Sequence, residues 1–398
     1  MSRRYKRSLD ETKCVIRHAK LEEDELKPVS QVLYFSEKAE ASENYKLIEM
    51  DNDLINILKE GQSLVFRGSG EENVVLCTNS QTYDVKEADT SNSLLLLSDF
   101  RWSCEADLET KERNLQEKEV LGVFHKYFEL RPCKPRLQKL RAVLEESMYR
   151  GKEFEEELEN LGVKTYTFHQ LLDTVQASEM ELQEALQKEM VCCVKDKWRV
   201  LSHDYHFRVL SHILNLLDEN SWSLNSVPKE ETVKELCDLV PEEILGQCFD
   251  WYMEPTGGTD TRGNPLYSLS EPKVCRFLAE VLLRGAGNFD LKSFLSTWQN
   301  SVPEGVVTDV TYLEGIALMN KKIKPETIWY FPETSLPEDI TERFRILFQT
   351  QEKWTFDEIR PYIERLASDK MNVNALLTKY ARASSVNGIK YYGARHAK

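Results

Sequence analysis

The sequence lacks the common signatures of catalysis. It has no G-x-x-x-x-G-K-[ST] loop to cradle nucleotide phosphates, no G-x-S-x-G elbow to present a serine, and no H-E-x-x-H pair to hold zinc. The glycine-containing stretch "RGSGEEN" (Arg67–Asn73) lies between two strand-like runs and reads as a hairpin turn, not a phosphate loop. Apolar runs such as Leu94–Leu97 are far too short to cross a bilayer. The start, "MSRRYKRSLDE", has no apolar segment behind its basic residues. A secretory signal is therefore not expected, and a weak nuclear-import signal or a solvated basic terminus are the open readings. The nine cysteines contain no C-x-x-C pair. The nearest metal-like grouping is Cys192 and Cys193 with His203 and His206. Adjacent cysteines on a strand point to opposite faces, so core packing is the expected role, and no metal or other cofactor is expected.

What is present is a chain of 398 residues, 41% hydrophobic and 30% charged, enough for two to four globular domains. Residues 1–30 read as a polar arm with a short helix. Residues 31–101 read as β, with short runs at Gln62–Gly68, Asn73–Asn79, Gln81–Ala88 and Asn92–Ser98 broken by Gly, Ser and Asn. That meander suffices for a half-barrel and is short for a closed one, so its edges are expected to pair with another chain. Residues 102–118, charged and without a core stripe, read as a linker.

Beyond the linker the pattern is helical. An N-cap residue, a Phe, a polar residue and then an apolar stripe recur in "TFHQLLDTV" from Thr167, "NFDLKSFL" from Asn288 and "TFDEIRPYI" from Thr355. Capping-box spacing joins Thr167 to Gln170, Ser178 to Glu181, Ser335 to Glu338 and Thr355 to Glu358. Each signature follows a helix (135–147, 270–284 and 335–349). Each precedes a second helix start (Ser178, Thr308 and Asn372) and an aromatic strand. In the first copy "VCCVKDKWRVL" reads as a hairpin turning at Lys195-Asp196. Helix, helix, helix, hairpin is the winged-helix arrangement. Three copies are expected, at 119–222, 223–331 and 332–398. The second is expected to carry extra material, including a helix around Phe207–Leu217 and an exposed loop at Glu254–Pro265. The fold class is α+β: an N-terminal antiparallel β half-barrel completed by partner chains, followed by three winged-helix domains.

Charge is distributed unevenly. The chain carries 52 Lys and Arg against 67 Asp and Glu, a net charge of −15, yet its last 28 residues hold five Lys or Arg and no acid. A helix over 373–383 would face Val373, Leu376, Leu377 and Tyr380 to the core, with Lys379 and Arg382 outward. Lys390, Arg395 and Lys398 fall in the wing, turning at Asn387-Gly388. Lys379, Arg382, Lys390, Arg395 and Lys398 are therefore the candidate DNA-binding residues, with a solvated or protein-binding basic face as the alternative. A second basic cluster, "RPCKPRLQKLR" (Arg131–Arg141), is a lesser nucleic-acid candidate, with neutralisation by "EFEEELE" (Glu153–Glu159) within the fold as the competing reading.

Four strings, "SLVFRGSGEENVVLCTNSQTYDVKEADTSNSLLL", "SWSLNSVP", "WQNSVPEG" and "LLTKYARASSVNGIKYY", resemble the sister chromatid cohesion subunit of the alternative, cohesion-type replication clamp loader. The resemblance runs from about Leu33 to the end of the chain. It implies a nuclear, non-enzymatic protein bound to the small chromosome transmission fidelity subunit and to the C-terminal tail of the large clamp-loader subunit. Strands from these partners would complete the N-terminal sheet, with Leu64, Phe66, Val75, Tyr83 and Leu95 as candidate partner-binding residues. The resemblance further implies contact with single- and double-stranded DNA and with the catalytic subunit of DNA polymerase epsilon. The sliding clamp would be the substrate of the whole complex, and no membrane is involved. A winged-helix scaffold that binds only proteins and a winged-helix transcription regulator are the competing readings. The latter is disfavoured because the last helix offers only Asn374 and Arg382 as base readers.

Overall fold

A computed structural model describes residues 7–36, 45–70, 72–105, 112–320, 324–367, 371–386 and 388–395. The chain is a mixed α+β protein that divides into two compact units, residues 1–143 with 167–188, and residues 144–166 with 189–398.

In the first unit, Ser8 and Glu11 cap α1 (Leu9–His18) reciprocally. Strand β1 (Val29–Phe35) follows, then α2 (Asn52–Lys59), capped by Asp51. Strands β2 (Val65–Arg67), β3 (Val75–Cys77), β4 (Thr82–Leu97) and β5 (Asn114–Cys133) complete one five-stranded sheet, in the order β1-β5-β4-β3-β2. β2 and β3 form the expected hairpin, with Arg67 opposite Val75. The sheet is not purely antiparallel, since β1 runs parallel to β5. Residues 81–88 and 92–98, expected as two strands, belong to the single strand β4, whose register shifts between Asp89 and Leu94. Residues 114–118, expected as linker, and the following stretch to 133, expected as helical, are strand β5. Along it Val120, Gly122 and Phe124 are buried while Leu121 is exposed. That period of two leaves no 3.6-residue apolar stripe in the sequence. Among the described residues the sheet does not close; β1 and β2 stand at its edges.

The chain continues through α3 (Gln138–Glu146) and α4 (Glu155–Asn160). Helices α5 (Phe168–Thr174) and α6 (Glu179–Lys188) belong to the first unit. Both start at the expected capping boxes, Thr167 with Gln170 and Ser178 with Glu181. Glu181 also accepts the Thr82 hydroxyl at 2.5 Å, which fastens the start of α6 to β4.

The second unit opens with the hairpin β6 (Val191–Val194) and β7 (Lys197–Val200). It turns at Lys195 and Asp196 with φ of 49° and 62°, the left-handed pair that a two-residue hairpin loop requires. One order then recurs: a helix, a short strand, two helical segments and an antiparallel hairpin whose last strand pairs with the short one. The first run is α7 (His203–Glu219), β8 (Val227–Pro228), α8 (Lys229–Leu236), α9 (Glu242–Tyr252), β9 (Met253–Thr259) and β10 (Pro265–Leu269), with strand order β8-β10-β9. The next is α10 (Glu271–Ala286), β11 (Asn288–Asp290), α11 (Leu291–Ser301), a 3-10 turn at Val310–Leu313, β12 (Ala317–Asn320) and β13 (Thr327–Tyr330), with strand order β11-β13-β12. The last is α12 (Ile340–Thr350), a bridge from Trp354 to Tyr392, α13 (Phe356–Ile363), α14 (Val373–Tyr380), β14 (Ala381–Val386) and β15 (Ile389–Ala394). The elements from α3 through α5 and α6 to β6 and β7 keep the same order, Tyr166 bridging to Trp198 in place of the short strand.

The order therefore occurs four times where three copies were expected. Residues 203–269, expected partly as inserted material, are a copy of their own. Their helices α8 and α9 start after Pro228 and Pro241 without a side-chain cap, so they lack the polar-cap-then-Phe signature that revealed the others. Two further expectations are corrected. Asp309 caps a 3-10 turn where a helix from Thr308 was expected, and Leu318 lies in β12. Asp339, not Ser335, caps α12. The core of this unit gathers Tyr252, Phe249, Phe294 and Trp298 around α7, α9, α10 and α11. Phe344, Trp354, Tyr362, Leu376 and Tyr392 form a second cluster in the last run.

Candidate nucleic-acid interface and partner sheet

The acid-free terminus folds as α14 followed directly by a hairpin. Asn372 caps α14, and Leu376 and Leu377 bury its inner face. The helix ends at Tyr380, so Arg382 lies on strand β14 and not on the expected outer helical face. The register pairs Arg382 with Gly393, Ser384 with Tyr391 and Val386 with Ile389 on one face. Ala381, Ala383, Ser385, Lys390, Tyr392 and Ala394 occupy the other. Tyr392 is buried, so the face carrying Lys390 is the one turned to the core. Arg382 and Lys390 thus leave the hairpin on opposite sides.

Lys379, Arg382, Lys390 and Arg395 are all exposed. Arg395 Nη1 donates to the Lys379 carbonyl at 2.5 Å, which brings these two cations to the base of the hairpin. The Lys379 ammonium lies 5.2 Å from the Tyr380 ring centre and that of Lys390 5.3 Å from the Tyr392 ring centre. Such contacts orient the stems without neutralising the charge. Lys398 and Asn387 lie outside the described residues; Gly388 has a φ of +79°, consistent with a tight turn. The segments at the same position in the other runs are acidic. α6 carries Glu179, Glu181 and Glu184, α9 carries Glu242, Glu243 and Asp250, and Asp309 and Glu314 flank the 3-10 turn. α14 carries no acid.

The second basic cluster is consumed within the fold. Arg136 donates to the Asp84 carboxylate, the Gln176 side chain and the Asn73 carbonyl, each at 2.9 Å. Arg131 pairs with Glu129 at 2.6 Å and Lys139 with Glu72 at 3.6 Å. The acidic run expected to neutralise it is engaged elsewhere: Glu155 pairs with Arg199 and Glu153 with Arg208. Nor do the metal-like residues converge. Cys192 is buried in the core, the Cys193 backbone is held by Gln247, and His206 Nε2 lies 2.9 Å from the Tyr252 hydroxyl.

The five candidate partner-binding residues divide by burial. Tyr83 is buried in the small core with Leu54 and Leu76, Leu64 packs against that core, and Val75 is fully buried. Phe66 and Leu95 are 53% and 41% exposed. Sequence reasoning missed Phe35, Val65, Leu94 and Leu121, which are also exposed on this sheet. Their signal was apolar residues at every position of a strand, which an edge or one-sided strand does not need. Beside them a groove of about 640 Å³ is lined by Phe35, Tyr45, Val123, Phe124 and Phe128.

Residues 45–363 match the family model described as sister chromatid cohesion protein Dcc1. The chain belongs to the Dcc1 family. It is 39% identical to sister chromatid cohesion protein DCC1 of Danio rerio over 389 residues, covering 98% of each chain. It is 38% identical to that of Homo sapiens over 392 residues, covering 98% of this chain and 99% of the relative. The protein of the same name from Saccharomyces cerevisiae is 22% identical over 374 residues, covering 85% and 93%. The Dcc1 family match takes in most of the open sheet and stops at the end of α13. The basic helix and hairpin lie beyond it. Membership in the Dcc1 family places the chain among sister chromatid cohesion proteins.

Proposed function

We propose that this chain is a non-catalytic nuclear subunit of the cohesion-type replication clamp loader, which it serves as scaffold and DNA contact. The observation that carries the proposal is the five-stranded sheet, whose edges β1 and β2 have no further strand beside them among the described residues, with exposed Phe35, Phe66, Leu94 and Leu95. Unpaired edges beside apolar side chains favour strand addition by another chain. The partners in this reading are the small chromosome transmission fidelity subunit and the C-terminal tail of the large clamp-loader subunit. Their strands would extend the sheet to a composite barrel. The four recurring runs are read as winged helices, with α14 and the β14–β15 hairpin as the recognition helix and wing of the last. Because its recognition segment neither carries an acid nor has one directly beside it, that copy is the one suited to single- and double-stranded DNA. The acidic copies are left for protein contacts, among them the catalytic subunit of DNA polymerase epsilon and, through the complex, the sliding clamp.

The test is DNA binding by the full chain across a salt series, beside a variant with Lys379, Arg382, Lys390 and Arg395 changed to Glu. The reading expects a log–log slope of about −3 to −5 for the wild type, from about 0.9 per neutralised phosphate, and loss of binding in the variant. Failure of both to bind, with partner assembly intact, would instead support the protein-only scaffold, which the acidic α6 and α9 favour.

A further inference from the structure

The outer face of the terminal hairpin has a composition that phosphate neutralisation does not explain. Val386 and Ile389 are cross-strand partners at its tip, 44% and 50% exposed. Two branched aliphatic side chains side by side at the end of an exposed ribbon are costly in water and contribute nothing to a phosphate contact. Behind them on the same face come Tyr391 opposite Ser384, then Arg382 opposite Gly393. The aromatic ring thus has small neighbours across the strand. No acid occurs anywhere from Met371 onward, and Lys390 flanks the tip on the other face. The surface is an apolar wedge, an aromatic platform and cations on both sides.

We propose that this hairpin tip inserts against exposed bases, and that the chain recognises the junction between duplex and single-stranded DNA over uninterrupted duplex. The inference rests on the nucleic-acid reading above and assigns it a substrate form. Apolar side chains gain from contact with base faces only where stacking is already broken or easily opened, while the surrounding cations hold the backbone. A closed duplex offers the cations their phosphates but leaves Val386 and Ile389 in water. A junction supplies both. Charge complementarity selects nucleic acid as the occupant: an apolar protein partner would gain nothing from an acid-free surround.

The experiment compares the full chain with Val386→Ser/Ile389→Ser on two fluorescein-labelled probes, a blunt duplex and the same duplex with a single-stranded oligo-dT extension. Both substitutions are at exposed positions, and unchanged thermal melting verifies the fold. The wild type is expected to bind the junction probe about tenfold more tightly than the duplex, the scale of one base stacked on a side chain. The variant is expected to lose that preference while duplex affinity and salt slope stay the same. A 2-aminopurine placed at the first unpaired position should change its fluorescence with the wild type only. Equal binding of both probes by wild type and variant overturns the wedge and leaves the DNA reading standing. So does an equal loss on both probes, which makes the tip a general contact. Loss of partner assembly with DNA binding untouched overturns it in favour of a protein-docking tip. Failure of the wild type to bind either probe sinks the underlying DNA reading, and is distinguished by the missing duplex signal.

Discussion

Replacing Arg343 with Met should unfasten the last run of the second unit. The Arg343 side chain is 1% exposed. Nε donates to the Pro337 carbonyl at 2.6 Å, Nη1 to the Glu333 carboxylate at 2.5 Å and to the Tyr362 carbonyl at 2.9 Å, and Nη2 to the Leu336 carbonyl at 3.0 Å. One guanidinium thus ties residues 333–337 to α12 and to the end of α13. Methionine fills much of the volume but takes the guanidinium donors away from a mostly buried carboxylate and three carbonyls. Removing one member of a buried pair costs about 3–5 kcal/mol, and each carbonyl left dry adds to the same figure. We expect about 4 kcal/mol, a factor of about a thousand in local opening. Lysine at this position should fall between, because one ammonium cannot reach all four acceptors. Hydrogen–deuterium exchange over residues 333–363 reads the effect directly and does not require the whole chain to unfold in one step. Exchange in the Met variant within tenfold of wild type would refute the reasoning. A Glu333→Gln variant as damaging as Arg343→Met would locate the energy in the ion pair and not in the carbonyls.

Burial lowers the His206 pKa to about 3, with the charge of His203 adding to the effect. An unfolded histidine titrates near 6.5, so below that pH the unfolded chain binds a proton that the folded chain refuses. Stability from this site is therefore complete above about pH 6.5 and falls by about 1.4 kcal/mol per pH unit as pH drops from there toward 3. Melting of the second unit between pH 7 and 5 should show this loss, and His206→Phe should flatten it. An unchanged slope in that variant would show that the site does not contribute. Gly393→Ala should loosen the terminal hairpin by about 1–3 kcal/mol. The new Cβ would meet the Glu352 carbonyl at 2.9 Å, and the adjoining chain is held by paired backbone bonds between Trp354 and Tyr392. Faster amide exchange at Tyr392 checks it, and unchanged exchange there contradicts it.

Local chemistry made much of this fold legible in the sequence. The boxes at Thr167, Ser178 and Thr355 and the turn at Lys195-Asp196 each depend on residues within four positions of one another, the β2–β3 hairpin joins residues no more than 12 apart, and each formed as read. What escaped depended on partners distant in sequence or on missing punctuation. β5 reads as a charged linker until β4 and β1 are placed on either side of it. α8 and α9 follow prolines that give no polar cap. At the candidate site the exposed cations were legible, because an acid-free stretch is a property of composition. Arg382 was misplaced, because the helix stops at Tyr380 and the strand takes over without a loop. The neutralisation of Arg136 by Asp84 joins residues 52 apart, which no charge count could pair.

The four runs raise the question of why one of them differs. Repetition gives each run the same order of elements, so on the proposed winged-helix reading shape alone offers four equivalent recognition positions. Charge separates them. A chain with a net charge of −15 repels phosphate at long range. A basic contact then acts only within about a Debye length, about 8 Å at physiological salt. Acids on the recognition segment itself would lie inside that distance, as they do in α6 and α9. On the proposed DNA-contact reading, clearing acids from α14 and its hairpin, rather than adding many cations, is the smallest change that turns one copy toward nucleic acid. On this argument, returning one acid to the cleared face, as in Thr378→Glu, should weaken DNA binding about as much as removing one lysine. Side-by-side titrations of T378E and K379A would decide it. If T378E binds as wild type, the clearing of acids is incidental and the cations alone carry the contact.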